Sequence, residues 1–173
     1  MSGALLPLAR ASFWLAFVVV LAGSVVRMTG SGMGCPDWPK CFGLLVPPTK
    51  ASQVTWTPGA KYEKGRMLVR RDTLWVAQEP FVAREFEIER NRGQWRPYLK
   101  HDYAIFNAAH TWIEFVNRCL GALAGIPALL LFLAAALARD LRTTILSLFG
   151  VMALGFVAWL GKLVVDGNLI PYS

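Results

Sequence analysis

The sequence lacks the features of a nucleic-acid-binding protein, although its net charge at pH 7 is +7. It has no run of basic residues longer than Arg70-Arg71, and most of its 18 Lys and Arg residues lie in 30–105 among Asp and Glu residues. Proteins that bind nucleic acid gather basic residues into a patch or stripe. We therefore expect no nucleic acid among its partners.

Several common cysteine and processing motifs are also missing. The three cysteines form neither the Cys-x-x-Cys-His motif of covalently attached haem nor the paired Cys-x-x-Cys of a zinc ribbon. No small-x-small cleavage site follows the first apolar run, so that run is read as a membrane helix and not as a signal peptide.

Long apolar runs dominate what is present. Hydrophobic residues make up 55% of the chain and its mean hydropathy is +0.42, which is too apolar for an ordinary soluble domain. Three runs approach the ~20 residues that cross a bilayer. They are 11–28, 119–138 and 144–165. We predict an all-α integral membrane protein with three transmembrane helices in the lipid bilayer.

The basic residues at the short flanks predict how the chain crosses the membrane. Arg10 precedes the first helix, and Arg139 and Arg142 lie between the second and third. Short cytoplasmic flanks carry an excess of Lys and Arg. The N-terminus is therefore expected in the cytoplasm, and the long loop after the first helix on the outer side.

The chain divides at the ends of these runs, and the long external loop has a pattern of its own. The predicted parts are 1–29 (N-terminus and first helix), 30–105 (external loop), 106–138 (second helix), 139–143 (cytoplasmic turn), 144–166 (third helix) and 167–173 (start of the next external connection). Within the loop, "GRMLVRRDTLWVAQ" and "FVAREFEIER" alternate apolar and polar residues. This alternation predicts a small antiparallel β-hairpin.

Cys35 and Cys41 bracket the stretch "CPDWPKC" on the outer, oxidising side, and this position predicts a disulfide. A loop so short gains little chain-entropy stabilisation from the crosslink. A simple loop staple and a redox role both stay open.

The second helix begins with polar residues on one face. His110, Glu114 and Asn117 are spaced i, i+4 and i+7, and Arg118 lies four residues after Glu114. A histidine can bind haem iron and an arginine can pair with a haem propionate. The alternative is an interfacial helix end with a Glu–Arg pair and snorkelling side chains. Arg27, at the outer end of the first helix, has the same two interpretations.

Three stretches resemble one family. "GSVVRMTGSGMGCPDWPKCFG" resembles the end of the first helix and the first external loop of heme A synthases. "TWIEFVNRCLGAL" is similar to that family's second-helix motif, Glu-x-x-His-Arg, and "GKLVVDGNLIP" to the end of its third helix. The hairpin region looks like an insertion.

The resemblance implies a fold and a reaction. Such proteins have two similar four-helix halves, one holding the substrate heme O and the other a heme B cofactor. This chain resembles three helices of the N-terminal, substrate-side half, so we expect it to be truncated and inactive alone. The implied activity is an oxidoreductase that converts the C8 methyl of heme O to the formyl of heme A for haem–copper oxidases. It would work in the bacterial inner membrane as a homo-oligomer, with heme O synthase and the terminal oxidase as partners.

The resemblance also implies roles for single residues. Glu114 would be the catalytic carboxylate, Arg118 and Arg27 would contact the heme, and the Cys35–Cys41 pair would lie above it. Asn117 stands where the family commonly has a histidine.

His110 lies on the same face, roughly 10 Å away along the axis, and is the expected substitute ligand for the haem iron. The alternative function is a non-catalytic haem- or quinone-binding subunit or an oxidase assembly factor.

Overall fold

The chain is described by a computed structural model, which covers 3–70, 73–83, 95–98 and 106–167, with side chains to residue 163. Its three long helices are α1 (Leu5–Thr29), α2 (Ala108–Leu137) and α3 (Leu141–Gly167). Each is long and apolar enough to cross a membrane. The all-α integral membrane class predicted from the sequence is confirmed.

The helices expose apolar side chains on most of their surface, which is typical of helices surrounded by lipid. Several of their hydroxyl groups bond back to carbonyls one turn earlier. Ser12 Oγ donates to the Leu8 carbonyl at 2.8 Å, and Ser24 Oγ donates to the Val20 carbonyl at 2.9 Å. These bonds offset the cost of placing a hydroxyl in hydrocarbon.

The turn between α2 and α3 is shorter than the predicted 139–143, because α3 begins at Leu141. Asp140 caps this helix: its carboxylate accepts the Thr143 N–H at 3.2 Å and the Thr143 hydroxyl at 2.8 Å. The side-chain bond from Thr143 is the main reason that the pKa of Asp140 lies below its ordinary value. The apolar run marked the lipid-facing part of the helix, whereas the cap sets where the helix starts.

The described part of the segment between α1 and α2 contains five short strands in two antiparallel sheets. They are β1 (Lys61–Tyr62), β2 (Met67–Arg70), β3 (Thr73–Ala77), β4 (Phe81–Val82) and β5 (Trp95–Pro97). One sheet pairs β1 with β4, and the other has the order β2-β3-β5. The β2–β3 hairpin pairs Met67 with Val76 and Arg70 with Thr73, which confirms the predicted β-hairpin. Most of "FVAREFEIER" lies outside the described residues.

The chain forms two compact units. The helical unit includes Met1–Thr29 and Val116–Leu163. The other unit includes Gly30–Phe115, and we call it the external unit after its predicted position. The first eight residues of α2 therefore belong to the external unit. This unit has its own aromatic core, in which Trp95 is 1% exposed. Trp56, Tyr62, Phe81 and Trp95 lie with ring centroids between 5.3 and 6.0 Å apart. The described part of the sequence between the first two helices is thus a packed structure.

Candidate functional site

The stretch "CPDWPKC" forms a crosslinked loop with buried ends and an exposed middle at Trp38, Pro39 and Lys40. Cys35 and Cys41 are joined by a disulfide, with their Cα atoms 4.9 Å apart and both residues fully buried. The predicted pairing is confirmed. We call residues 34–41, which include the glycine just before the first cysteine, the disulfide loop. Cys41 and Leu44 exchange two backbone hydrogen bonds, with N–O distances of 2.9 and 3.0 Å. The backbone that leaves the loop is therefore fixed, as are its crosslinked ends.

Side chains of the external unit hold the residues just after this loop. Asp37 accepts the Gly43 N–H at 3.0 Å, and Arg66 Nη1 donates to the Phe42 carbonyl at 3.3 Å. Burial lowers the pKa of Arg66, and Tyr62 and Asp37 oppose that shift. The guanidinium thereby connects strand β2 to the backbone that follows the crosslink.

The start of α2 binds the other end of the disulfide loop. The Cys35 N–H donates to Glu114 Oε2 at 2.8 Å, and the Thr111 hydroxyl donates to the Gly34 carbonyl at 2.9 Å. Glu114 is 5% exposed and Thr111 is fully buried. A buried carboxylate is costly unless hydrogen bonds stabilise its charge, and a backbone N–H is a suitable donor. The loop therefore gives Glu114 part of its stabilisation.

Backbones meet closely at this junction. A Cβ on Gly34 would lie 2.5 Å from both the carbonyl carbon and the carbonyl oxygen of His110, so only glycine fits there without displacement. On the opposite flank, the Tyr98 hydroxyl donates to the Pro36 carbonyl at 3.0 Å, while the Tyr98 N–H donates to the Leu74 carbonyl at 2.7 Å. The loop is thus attached both to α2 and to the sheet.

The structure brings Glu114, Cys35 and Cys41 together in the external unit. His110 is also in this unit and is half-buried, but it contacts the loop through its backbone. Its N–H faces Asn107 Oδ1 at 3.3 Å, which is an ordinary contact at the start of a helix. The described residues contain no group of three His, Cys, Asp or Glu side chains able to hold a metal ion.

The other predicted residues lie in the helical unit. Arg27 is exposed in the last turn of α1, and Arg118 is half-buried on α2. Asn117 is half-buried, and a Cβ on Gly23 of α1 would lie 4.0 Å from its Oδ1. That Oδ1 is buried and, within the part of the chain that the structure describes, makes no hydrogen bond.

Sequence reasoning missed two residues of this junction, Thr111 and Gly34. Thr111 lies three residues before Glu114, so the helical period places both on one face, and this spacing could have drawn attention to it. Gly34 directly precedes the first cysteine of the motif. Gly34 is needed because the backbone of α2, distant in sequence, lies against it. The residues around Gly34 do not indicate this contact.

Comparison with known proteins found two partial matches. Residues 8–68 match the family model described as "Cytochrome oxidase assembly protein". A protein of Shewanella oneidensis named heme A synthase is 35% identical over 48 residues, which are 28% of this chain. The residues that the family model matches include the first of the three motifs described above.

The matches cover only part of each protein. The aligned stretch spans 14% of the Shewanella protein, and α2 lies beyond the residues matched by the family model. No solved structure matches the chain.

Proposed function

We propose that this chain forms the substrate-heme side of a membrane oxidoreductase of the heme A synthase type. One observation carries the proposal: the 2.8 Å bond between the Cys35 N–H and Glu114 Oε2. It joins a carboxylate of α2 to a loop within the matched residues 8–68, across 79 residues of sequence. This contact between two motifs of the resemblance supports the proposal.

The proposed reaction oxidises the C8 methyl of heme O to the formyl of heme A. Conversion of the methyl and one water to the formyl releases four electrons and four protons, and the electrons pass to a separate redox acceptor. In the first step two electrons and a proton leave the methyl carbon, and water, losing a proton, supplies the oxygen of the hydroxylated intermediate. A second two-electron oxidation, which releases two protons, gives the formyl. The carbon gains positive character as the electrons leave, so a nearby anion lowers the barrier. Glu114 is suited to that role because it is buried, where its charge is poorly screened. Accepting the proton is its second proposed role.

We propose that the remaining polar residues hold the heme. Arg118 and Arg27 offer guanidinium groups, which pair well with propionate carboxylates. Imidazole is a common axial ligand of haem iron, whereas Asn117 offers only an amide at the position of the family histidine. His110 is therefore the proposed ligand for heme O. The heme B cofactor is assigned to the other half of the complete protein.

The setting of the reaction is part of the proposal. The N-terminus is placed in the cytoplasm and the external unit on the outer side of a bacterial inner membrane, because Arg10, Arg139 and Arg142 flank the predicted inner ends. A homo-oligomer that receives heme O from its synthase and supplies a terminal oxidase fits this location.

A non-catalytic haem- or quinone-binding subunit, or an assembly factor, is the second candidate. Two observations favour it: the asparagine at position 117, and the packed aromatic core of the external unit, which gives that unit a stable surface for a partner.

The decisive experiment compares heme composition in a host whose own heme A synthase is deleted. The complete protein is expressed, and hemes B, O and A are extracted and separated by chromatography. We expect heme A to form only when the protein is present. If only hemes B and O appear, and the oxidases of the native host still acquire heme A after deletion of this gene, the synthase proposal is wrong and the second candidate replaces it.

The proposed iron ligand has its own test. Purified His110→Ala protein should retain little heme O per chain, because the axial bond is lost, whereas His101→Ala protein should retain it. The Asn117→His substitution in the His110→Ala background should restore binding by returning a histidine to the family position. Pyridine hemochrome absorbance per mole of protein measures retention. Equal heme O content in both single variants would remove His110 from the site.

A further inference from the structure

We propose that Thr111 is a positioning residue for Glu114. The two side chains hydrogen-bond to the carbonyl and the N–H of one peptide group in the disulfide loop. The consequence for catalysis rests on the function proposed above for Glu114, but the geometry does not. The Gly34 carbonyl, which accepts from Thr111, and the Cys35 N–H, which donates to Glu114, belong to the same peptide bond.

A peptide group is planar and its C=O and N–H point in opposite directions, so they turn together. Once Thr111 sets the direction of the Gly34 carbonyl, the direction of the Cys35 N–H is set as well. Thr111 and Glu114 are three residues apart on one face of α2, the spacing at which helical side chains are neighbours. The Thr111 hydroxyl thereby fixes the direction of the Cys35 N–H that donates to Glu114.

The hydroxyl of Thr111 has a second acceptor within reach, the Asn107 carbonyl at 2.9 Å. That carbonyl already accepts the Thr111 N–H at 3.0 Å as part of the helix. The Gly34 carbonyl lies on the loop, beyond the reach of the helical backbone bonds. Since a hydroxyl has one hydrogen to donate, directing it to Gly34 adds a connection between loop and helix, whereas directing it to Asn107 adds none.

Two further contacts keep this peptide against the helix. The missing side chain of Gly34 lets the loop approach the His110 backbone. Cys35 Sγ lies 3.6 Å from the Thr111 carbonyl oxygen; a disulfide sulfur has no hydrogen to donate, so this is a packing contact. The disulfide and this peptide therefore both contact the same turn of α2. Loss of the hydrogen bond from Thr111 to the peptide should make the disulfide more accessible to solvent.

The test uses the chain in lipid nanodiscs and two measurements that need no heme. The first is the rate at which dithiothreitol reduces the disulfide, followed by thiol alkylation and mass spectrometry of the peptides that carry Cys35 and Cys41. The second is the carboxylate stretching band of Glu114 in infrared spectra, identified by its loss in Glu114→Gln protein.

We expect Thr111→Val, which removes only the hydroxyl bond, to speed reduction about tenfold and to shift the Glu114 band. Thr111→Ser should behave as the parent chain, since it keeps the hydroxyl. Gly34→Ala keeps the side chains of Thr111 and Glu114 but displaces the peptide to which they bond, so it should resemble Thr111→Val. Thr144→Val, which removes a hydroxyl that bonds the Asp140 carbonyl at the start of α3, is the matched control and should change neither measurement.

The proposal is overturned if Thr111→Val leaves both the rate and the band unchanged, or if Thr111→Ser does not differ from Thr111→Val. These outcomes are independent of the reaction. A shifted band and faster reduction in a protein that makes no heme A would keep the positioning role and reject the proposed function. Heme A formation with an unshifted band would keep the proposed function and reject the positioning role of Thr111.

Discussion

Replacing Glu114 by Gln is expected to lower heme A formation by roughly 100-fold or more while the protein stays folded. The amide of glutamine has nearly the same shape, and its oxygen can still accept the Cys35 N–H that Glu114 Oε2 accepts at 2.8 Å. What disappears is the negative charge. Single electrostatic or proton-transfer groups typically contribute 10²–10⁴-fold to a rate, so the loss should be in the reaction and not in the fold.

The measurement is the ratio of heme A to heme O in cells that express each variant of the complete protein at equal level. Glu63→Gln is the matched control, because Glu63 is a surface residue that pairs with Lys61 at 3.2 Å and is 68% exposed. It should leave the ratio unchanged. A ratio for Glu114→Gln within about threefold of the parent would exclude the carboxylate from the chemical step, because a catalytic charge contributes far more than that.

Replacing Gly43 by Ala is expected to lower the opening free energy of the external unit by about 2–5 kcal/mol. Gly43 has φ +73°, a conformation that costs an L-residue about 1–2 kcal/mol. An added Cβ would also lie 2.2 Å from the Gly65 carbonyl oxygen and 2.8 Å from Arg66 Cα. Both neighbours are backbone, so relief requires main-chain movement, and overpacking adds about 1–3 kcal/mol.

That main chain is held by the sheet, which is why it cannot move easily. The Gly65 N–H donates to the Ala77 carbonyl at 2.8 Å, and the Ala77 N–H donates to the Arg66 carbonyl at 2.9 Å. Hydrogen exchange of the β2 and β3 amides, read by mass spectrometry, gives the opening free energy.

Gly59→Ala isolates the effect of the close approach. Gly59 has φ +80° but no atom within 4 Å of an added Cβ, so only the backbone cost of about 1–2 kcal/mol applies. Equal loss of protection in the two variants would show that Gly43 has no packing role.

Much of the membrane architecture could be predicted from the sequence, because it follows from composition over short distances. Three apolar runs of bilayer length identified α1, α2 and α3, and period-two alternation identified the β2–β3 hairpin. The helix starts were less predictable. Local polar groups set them, as with the Asp140 cap that starts α3 at Leu141, ahead of the apolar run.

Pairing between distant strands could not be read from local patterns. Strand β5 joins β3 through Trp95 and Ala77, and β4 joins β1 through Tyr62 and Phe81. Each pair is short, and its partner is chosen by the aromatic core that the strands share. A three-residue strand carries too little alternation of its own to predict its neighbour.

By itself the sequence determined the pairing of Cys35 with Cys41, and it identified Glu114, on a polar helix face, as the candidate catalytic carboxylate. Those inferences depended on residue type and spacing along one element. Only the tertiary structure decided that the peptide between Gly34 and Cys35 lies between Thr111 and Glu114. The reason is physical: a hydrogen bond between groups 77 or 79 residues apart depends on where two elements dock, and no local pattern encodes that distance.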